Sequence, residues 1–95
     1  MQVAFAAELV EWRGPAPYHF LAVPPQGCED LREAAALVSY GWGMVPVTAT
    51  VGATTWTTSL WPRDGGYVLP VKDRVRTAER MALGGRVAVR LDVAV

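Results

Sequence analysis

The stretch Gly41–Arg76, GWGMVPVTATVGATTWTTSLWPRDGGYVLPVKDRVR, decides the fold. Val45, Val47, Ala49 and Val51 alternate with Pro46, Thr48 and Thr50, the period of a strand with one buried face. Gly52-Ala53 suits a two-residue hairpin with glycine in the left-handed position. The return strand sets Trp56, Thr58 and Leu60 on one face and Thr55, Thr57 and Ser59 on the other. Threonine density there is β-propensity before it is chemistry. Pro62-Arg63-Asp64-Gly65-Gly66 reads as a turn, Tyr67–Val71 as a short strand interrupted by Pro70, and Lys72–Met81 as a helix ending before Gly84-Gly85. Paired strands followed by a short helix predict a compact barrel.

Outward from that stretch the same grammar continues. Val3, Phe5, Ala7 and Leu9 alternate on a first strand that runs to about Trp12, and Arg13-Gly14-Pro15-Ala16-Pro17 turns the chain. Tyr18–Val23 is a second strand, closed by Pro24-Pro25. From Glu29 to Val38 the period changes, with Leu31, Ala34, Ala35 and Val38 on one helical face and Glu29 and Asp30 in the first turn, where the helix dipole favours acids. Gly41 supplies the stop. Val87, Val89, Leu91 and Val93 form the last strand, with Arg86, Arg90 and Asp92 on its wet face. The prediction is a mainly β fold, a small closed barrel of about six strands with two short helices, forming a single domain over residues 1–95.

Strand Phe20–Val23, Pro24, helix, glycine turn and strand Val45–Val51 mirror strand Val68–Leu69, Pro70, helix, glycine turn and strand Val87–Val93. Each strand–helix–strand unit is too small to close a core alone, so two pseudo-repeated units are expected to complete one barrel.

A chain of 95 residues buries roughly two-thirds of its unfolded surface. With Trp12, Trp42, Trp56 and Trp61 as large burial units, a stability of about 5–10 kcal/mol is expected without disulfide or metal. Cys28 has no partner within the chain, which fits a reducing cytoplasm. No apolar run approaches the ~20 residues of a membrane span, and no basic segment followed by an apolar run opens the chain, so a soluble cytoplasmic protein is expected. Net charge is zero, but residues 1–48 hold five acids against two bases and residues 49–95 seven bases against four acids. In a barrel the halves interleave, and nucleic-acid domains usually carry a clear basic excess. The asymmetry is therefore read as spread over the surface.

Catalytic signals are weak. His19, the single histidine, has no Cys or His beside it to share a metal and is read as a structural hydrogen-bonding group. Cys28 lies near a helix N-terminus, but only His19, a strand away, is left to partner it. Ser59 lacks the glycines of a nucleophile elbow, Glu8 and Glu11 point to opposite strand faces, and neither glycine pair is followed by the Lys-Ser/Thr of a phosphate loop. No catalytic residue, metal or cofactor is expected. The candidate binding residues are Tyr40, Trp42, Arg63, Lys72 and Arg76, read as one rim. Tyr40 and Trp42 flank a glycine loop, and Lys72 and Arg76 stand one helical turn apart. Aromatics beside cations stack on and pair with an anionic ring-bearing ligand. In the competing reading Trp42 plugs the barrel end and the bases are simply solvated.

The second unit, LPVKDRVRTAERMALGGRVAVRLDV, resembles the swapped-hairpin barrel of AbrB/MazE-type regulators through Pro70, the Val75-Arg76 pair, the glycine turn and the strand after it. A resemblance over the full chain rests on Phe5…Glu11-Trp12, Tyr18–Pro24, Gly41-Trp42-Gly43, Thr57-Thr58-Ser59-Leu60-Trp61-Pro62, Gly66-Tyr67-Val68-Leu69-Pro70-Val71 and Val75-Arg76. These look like the small bacterial family catalogued as domain of unknown function nineteen-oh-five, which implies a double-split β-barrel and passes on no catalytic residue. Gly85 departs from the Asp such families place before the last strand. The functional expectation is a non-catalytic barrel module that binds a small anionic ligand or a protein partner, as monomer or homodimer. An AbrB-like nucleic-acid binder is the alternative, and an enzyme using His19 and Cys28 the distant third.

Overall fold

The structure, a computed structural model, describes residues 1–94. Its elements run β1 (Gln2–Trp12), β2 (Tyr18–Ala22), α1 (Pro25–Val38), β3 (Val45–Val51), β4 (Thr54–Arg63), β5 (Gly66–Val71), α2 (Asp73–Ala78) and β6 (Arg86–Asp92). All strand pairs are antiparallel, and the sheet closes as a barrel in the order β1-β2-β5-β4-β3-β6.

Two long strands make the closure possible. Residues 2–8 of β1 pair with β6 and residues 9–12 with β2. Likewise residues 54–60 of β4 pair with β3 and residues 61–63 with β5. Each strand thus leaves one sheet half-way and enters the other, which is the double split. Exchanging β1 with β4, β2 with β5 and β3 with β6 returns the same strand order. The repeat is thus present in the topology, with each strand of the β2–β5 and β3–β6 pairs meeting its own counterpart.

Alternation fills the interior as expected: Val45, Val47, Ala49 and Val51 of β3, Trp56 and Leu60 of β4, and Val87, Val89 and Leu91 of β6 are buried. Helix α1 closes one side through Leu31, Ala34 and Ala35, and α2 contributes Val75. Gly27 lets α1 approach β1, since a Cβ there would meet the methyls of Val23 and Val3.

The chain departs from the sequence reading in four places. Helix α1 begins at Pro25, four residues earlier, because proline at N1 has the helical φ and needs no donor. Glu29 and Asp30 therefore fall in the second turn and miss the dipole. Helix α2 ends at Ala78, and Arg80 turns the chain with φ 51°. Strand β4 runs on through Pro62 to Arg63, and the turn tightens to Asp64-Gly65, both with positive φ. Finally, of the four tryptophans only Trp56 is fully buried, whereas Trp42 is 97% exposed and Trp12 lies at the surface. Trp42 therefore plugs nothing.

Candidate functional site

Strand parity carries the site. Leu9, Leu21, Leu60 and Leu69 point inward, so Trp12 on β1, Tyr18 and Phe20 on β2, Trp61 and Arg63 on β4 and Val68 on β5 point outward. They gather where β1 and β4 have crossed into the β2–β5 sheet. Tyr18 is the hub, with ring centroids 5.7 Å from Trp12, 5.4 Å from Phe20 and 4.9 Å from Trp61, the last edge-on. Arg63 lies across the Phe20 ring, its Cζ 5.0 Å from the centroid, and its Nη1 donates to the Tyr18 hydroxyl at 3.2 Å. The carboxylate of Asp64 stands 3.7 Å from its Nε.

Val68, paired with Trp61 across β4 and β5, is buried yet lies outside the core cluster. A depression of about 260 Å³ remains between Trp12, Tyr18, Trp61, Pro62, Arg63 and Val68. Across Arg63 a longer groove of about 450 Å³ runs between the β4–β5 turn and α1, with Phe20, Cys28 and Tyr67 in its walls and Arg32 and Glu29 at its edge. Arg32 Nη2 ties that turn to the helix by donating to the Gly65 carbonyl at 2.6 Å. Trp12 reaches its place because Gly14 has no side chain; a Cβ there would fall within the indole ring.

The five residues predicted as one rim are divided. Arg63 is central to the aromatic ledge. Lys72 and Arg76 line a third depression, of about 330 Å³, together with Glu11, Tyr18, His19 and Asp73. Tyr18 is shared by the 260 Å³ depression and this third one, so those three cations flank one continuous surface. Tyr40 and Trp42 line none of these hollows. They sit on the turn Tyr40–Met44, where Tyr40 and Met44 exchange backbone hydrogen bonds at 2.9 Å and the Tyr40 hydroxyl meets Ser59 Oγ at 2.5 Å. That turn abuts the ledge through Gly43, where a Cβ would meet Pro62 Cγ at 3.0 Å. Sequence reasoning missed Trp12, Tyr18, Phe20 and Trp61, counting the tryptophans as burial units. Extending the inward parity of Leu9, Leu21 and Leu60 along their strands finds all four.

His19 and Cys28 do not form a couple. His19 Nε2 faces Glu11 Oε2 at 3.5 Å in the third depression. The buried Cys28 Sγ donates to the Val23 carbonyl at 3.3 Å, in the wall of the long groove. Among the described residues no cluster of three or more His, Cys, Asp or Glu could hold a metal. Among the described residues no helix is long and apolar enough to cross a membrane.

The family model described as Domain of unknown function (DUF1905) matches residues 5–91, nearly the whole chain. The chain belongs to this family. Its match reaches into every strand of the barrel and includes each residue of the ledge. No curated protein matches the chain.

Proposed function

We propose that the protein is a non-catalytic binding module whose aromatic ledge takes a small ring-bearing anion. The observation that carries this reading is Val68: an outward position on a barrel strand, buried yet outside the core cluster, in a depression walled by Trp12, Tyr18 and Trp61. Solvent-facing strand positions ordinarily carry polar residues. Here they carry Trp12, Tyr18, Phe20 and Trp61, with the guanidinium of Arg63 over the Phe20 ring. A flat ring entering the 260 Å³ depression gains stacking against Trp61 and Tyr18 and meets the fixed guanidinium of Arg63. The adjoining groove gives a larger ligand, or a peptide side chain of a protein partner, room to continue.

The same reading places the protein in a reducing bacterial cytoplasm, on the family resemblance and on a single buried thiol with no disulfide partner in the chain. For a nucleic-acid surface the charge pattern gives little support: Arg63, Arg76 and Arg90 each pair with an acid of their own segment.

The test is a ¹H–¹⁵N titration with indole-3-acetate, salicylate and adenosine monophosphate, following the Trp12 and Trp61 indole N–H signals. Saturable shifts at these two indoles, lost in Arg63→Met, are expected with at least one compound. Linear shifts or none with all three would remove the small-ligand reading. A response only to oligonucleotides, weakening steeply with salt, would replace it by nucleic-acid binding.

A further inference from the structure

We infer that Lys72 and Arg76 form an oxyanion subsite beside the ledge, so that the ligand is an aromatic ring carrying a phosphate or carboxylate on a short arm. The ring half of this inference rests on the reading above; the oxyanion half stands on its own residues. Arg63 is poorly placed to receive the acid. Its Cζ stands over the Phe20 ring, its Nη1 is given to Tyr18, and its Nε looks toward Asp64. Unused cationic donors lie instead on the other side of Tyr18. The Lys72 ammonium has no hydrogen-bond or ion-pair partner among the described residues. Arg76 pairs through Nη2 with Asp73, but its Nε is shut off from solvent with no partner among the described residues. A buried unpaired N–H is a cost that a bound acceptor removes.

The backbones of the two residues are tied together. Lys72 caps α2 and its carbonyl accepts the Arg76 backbone N–H at 3.1 Å. The acids nearby are already engaged: Glu11 takes Arg13 Nε at 2.7 Å and faces His19, and Asp73 takes Arg76. Turning the guanidinium from Asp73 toward the depression would present its Nε and Nη2 as a fork, with Lys72 as a point charge beside it, the donor pair suited to a phosphate or carboxylate. Tyr18 walls both this depression and the ring depression, so a short arm passing its edge joins them.

The experiment follows arginine Nε and tryptophan indole signals while inorganic phosphate, and then phenyl phosphate, is added to the intact protein, against sodium chloride at matched ionic strength. Phosphate alone should move the Arg76 Nε signal saturably. Lys72→Met, a surface change that spares the fold, should weaken this roughly tenfold. Asp73→Asn should tighten it by freeing Arg76. Phenyl phosphate should bind at least about tenfold tighter than phosphate and move the Trp12 and Trp61 indoles as well. Arg76 shifts equal to those in chloride, or no shift, would overturn the subsite. Indoles that respond to phenyl phosphate while Arg76 does not would sink the subsite and leave the ledge reading standing. Arg76 responding with silent indoles and no gain from the phenyl ring would keep the subsite as a free-phosphate site and sink the ring half.

Discussion

Replacing Trp61 by alanine separates the ledge from the core. Trp61 is half-buried and meets Tyr18 edge-on at 4.9 Å, an arrangement worth about 0.5–1.5 kcal/mol beyond burial. Its loss should cost roughly 1–2 kcal/mol in all, because the hollow it leaves opens to water and does not become a sealed cavity. Trp56, five residues earlier on the same strand, is 2% exposed inside the barrel, and Trp56→Ala should cost about 3–5 kcal/mol. For a domain of this size about 4–8 °C is lost per kcal/mol. Trp61→Ala should therefore melt about 4–16 °C lower and stay folded, whereas Trp56→Ala should fall by about 12–40 °C. Urea and thermal unfolding followed by far-UV circular dichroism measures both without depending on tryptophan emission. The binding arm uses the titration described above, in which Trp61→Ala should abolish saturable shifts at the remaining Trp12 indole. Equal destabilisation by the two variants would show that the ledge belongs to the hydrophobic core, and the functional argument from Val68 would fail. Undiminished binding in Trp61→Ala would fail it equally.

Three further outcomes test the geometry elsewhere. Gly52 has φ 56° and a Cβ there would displace the Glu79 carboxylate, which accepts from Thr54 Oγ at 2.6 Å; Gly52→Ala should cost about 2–3 kcal/mol, falling to the ~1–2 kcal/mol of left-handed strain alone in a Glu79→Ala background, and strict additivity in denaturant melts would contradict the contact. Gly14→Ala should displace the Trp12 ring, shifting its indole signal and weakening ring binding with less than about 1 kcal/mol of stability lost, since Trp12 is a surface residue; an unmoved indole would refute the packing. Cys28 is buried, so iodoacetamide should alkylate it at least roughly a hundredfold more slowly in the native protein than in urea, and a native rate near the unfolded one would contradict its burial.

How legible each part was follows from which physical signal encodes it. The β3–β4 hairpin was plain because one face of each strand is buried and the other wet, so the period of two stands out around Gly52. Helix α1 starts earlier than its apolar period suggests because the rigid φ of Pro24-Pro25, which closes a strand, also begins a helix. Of the candidate residues, Arg63, Lys72 and Arg76 were brought to one surface, yet the turn with Tyr40 and Trp42 sits to one side of it. Only the barrel register, a non-local property, decides that distance. For the tryptophans the reason is simpler. Hydropathy assigns an indole to the interior, and only its parity relative to Leu9 or Leu60 tells which side of the sheet it takes.

The pseudo-symmetry of the barrel argues that the ledge is not something the fold requires. Equivalent strands meet twice, at β2–β5 and at β3–β6. At the second meeting the outward positions hold Thr48 opposite Asp92 and Thr50 opposite Arg90, polar pairs suited to water. At the first they hold Phe20 opposite Pro70 and Ala22 opposite Val68, flanked by Trp12 and Trp61 from the two crossing strands. Both meetings close the same barrel, so closure alone would have been served by the polar version. Within the aromatic face the symmetry is broken again, since the large outward rings of this strand pair stand on β2 while β5 offers Gly66, Val68 and Pro70. Rings on one strand of the pair with small residues on the other leave a hollow where a symmetric face would have packed flat. That hollow, bordered by Arg63 and reaching past Tyr18 toward Lys72 and Arg76, is where selection for a ligand would act on this scaffold.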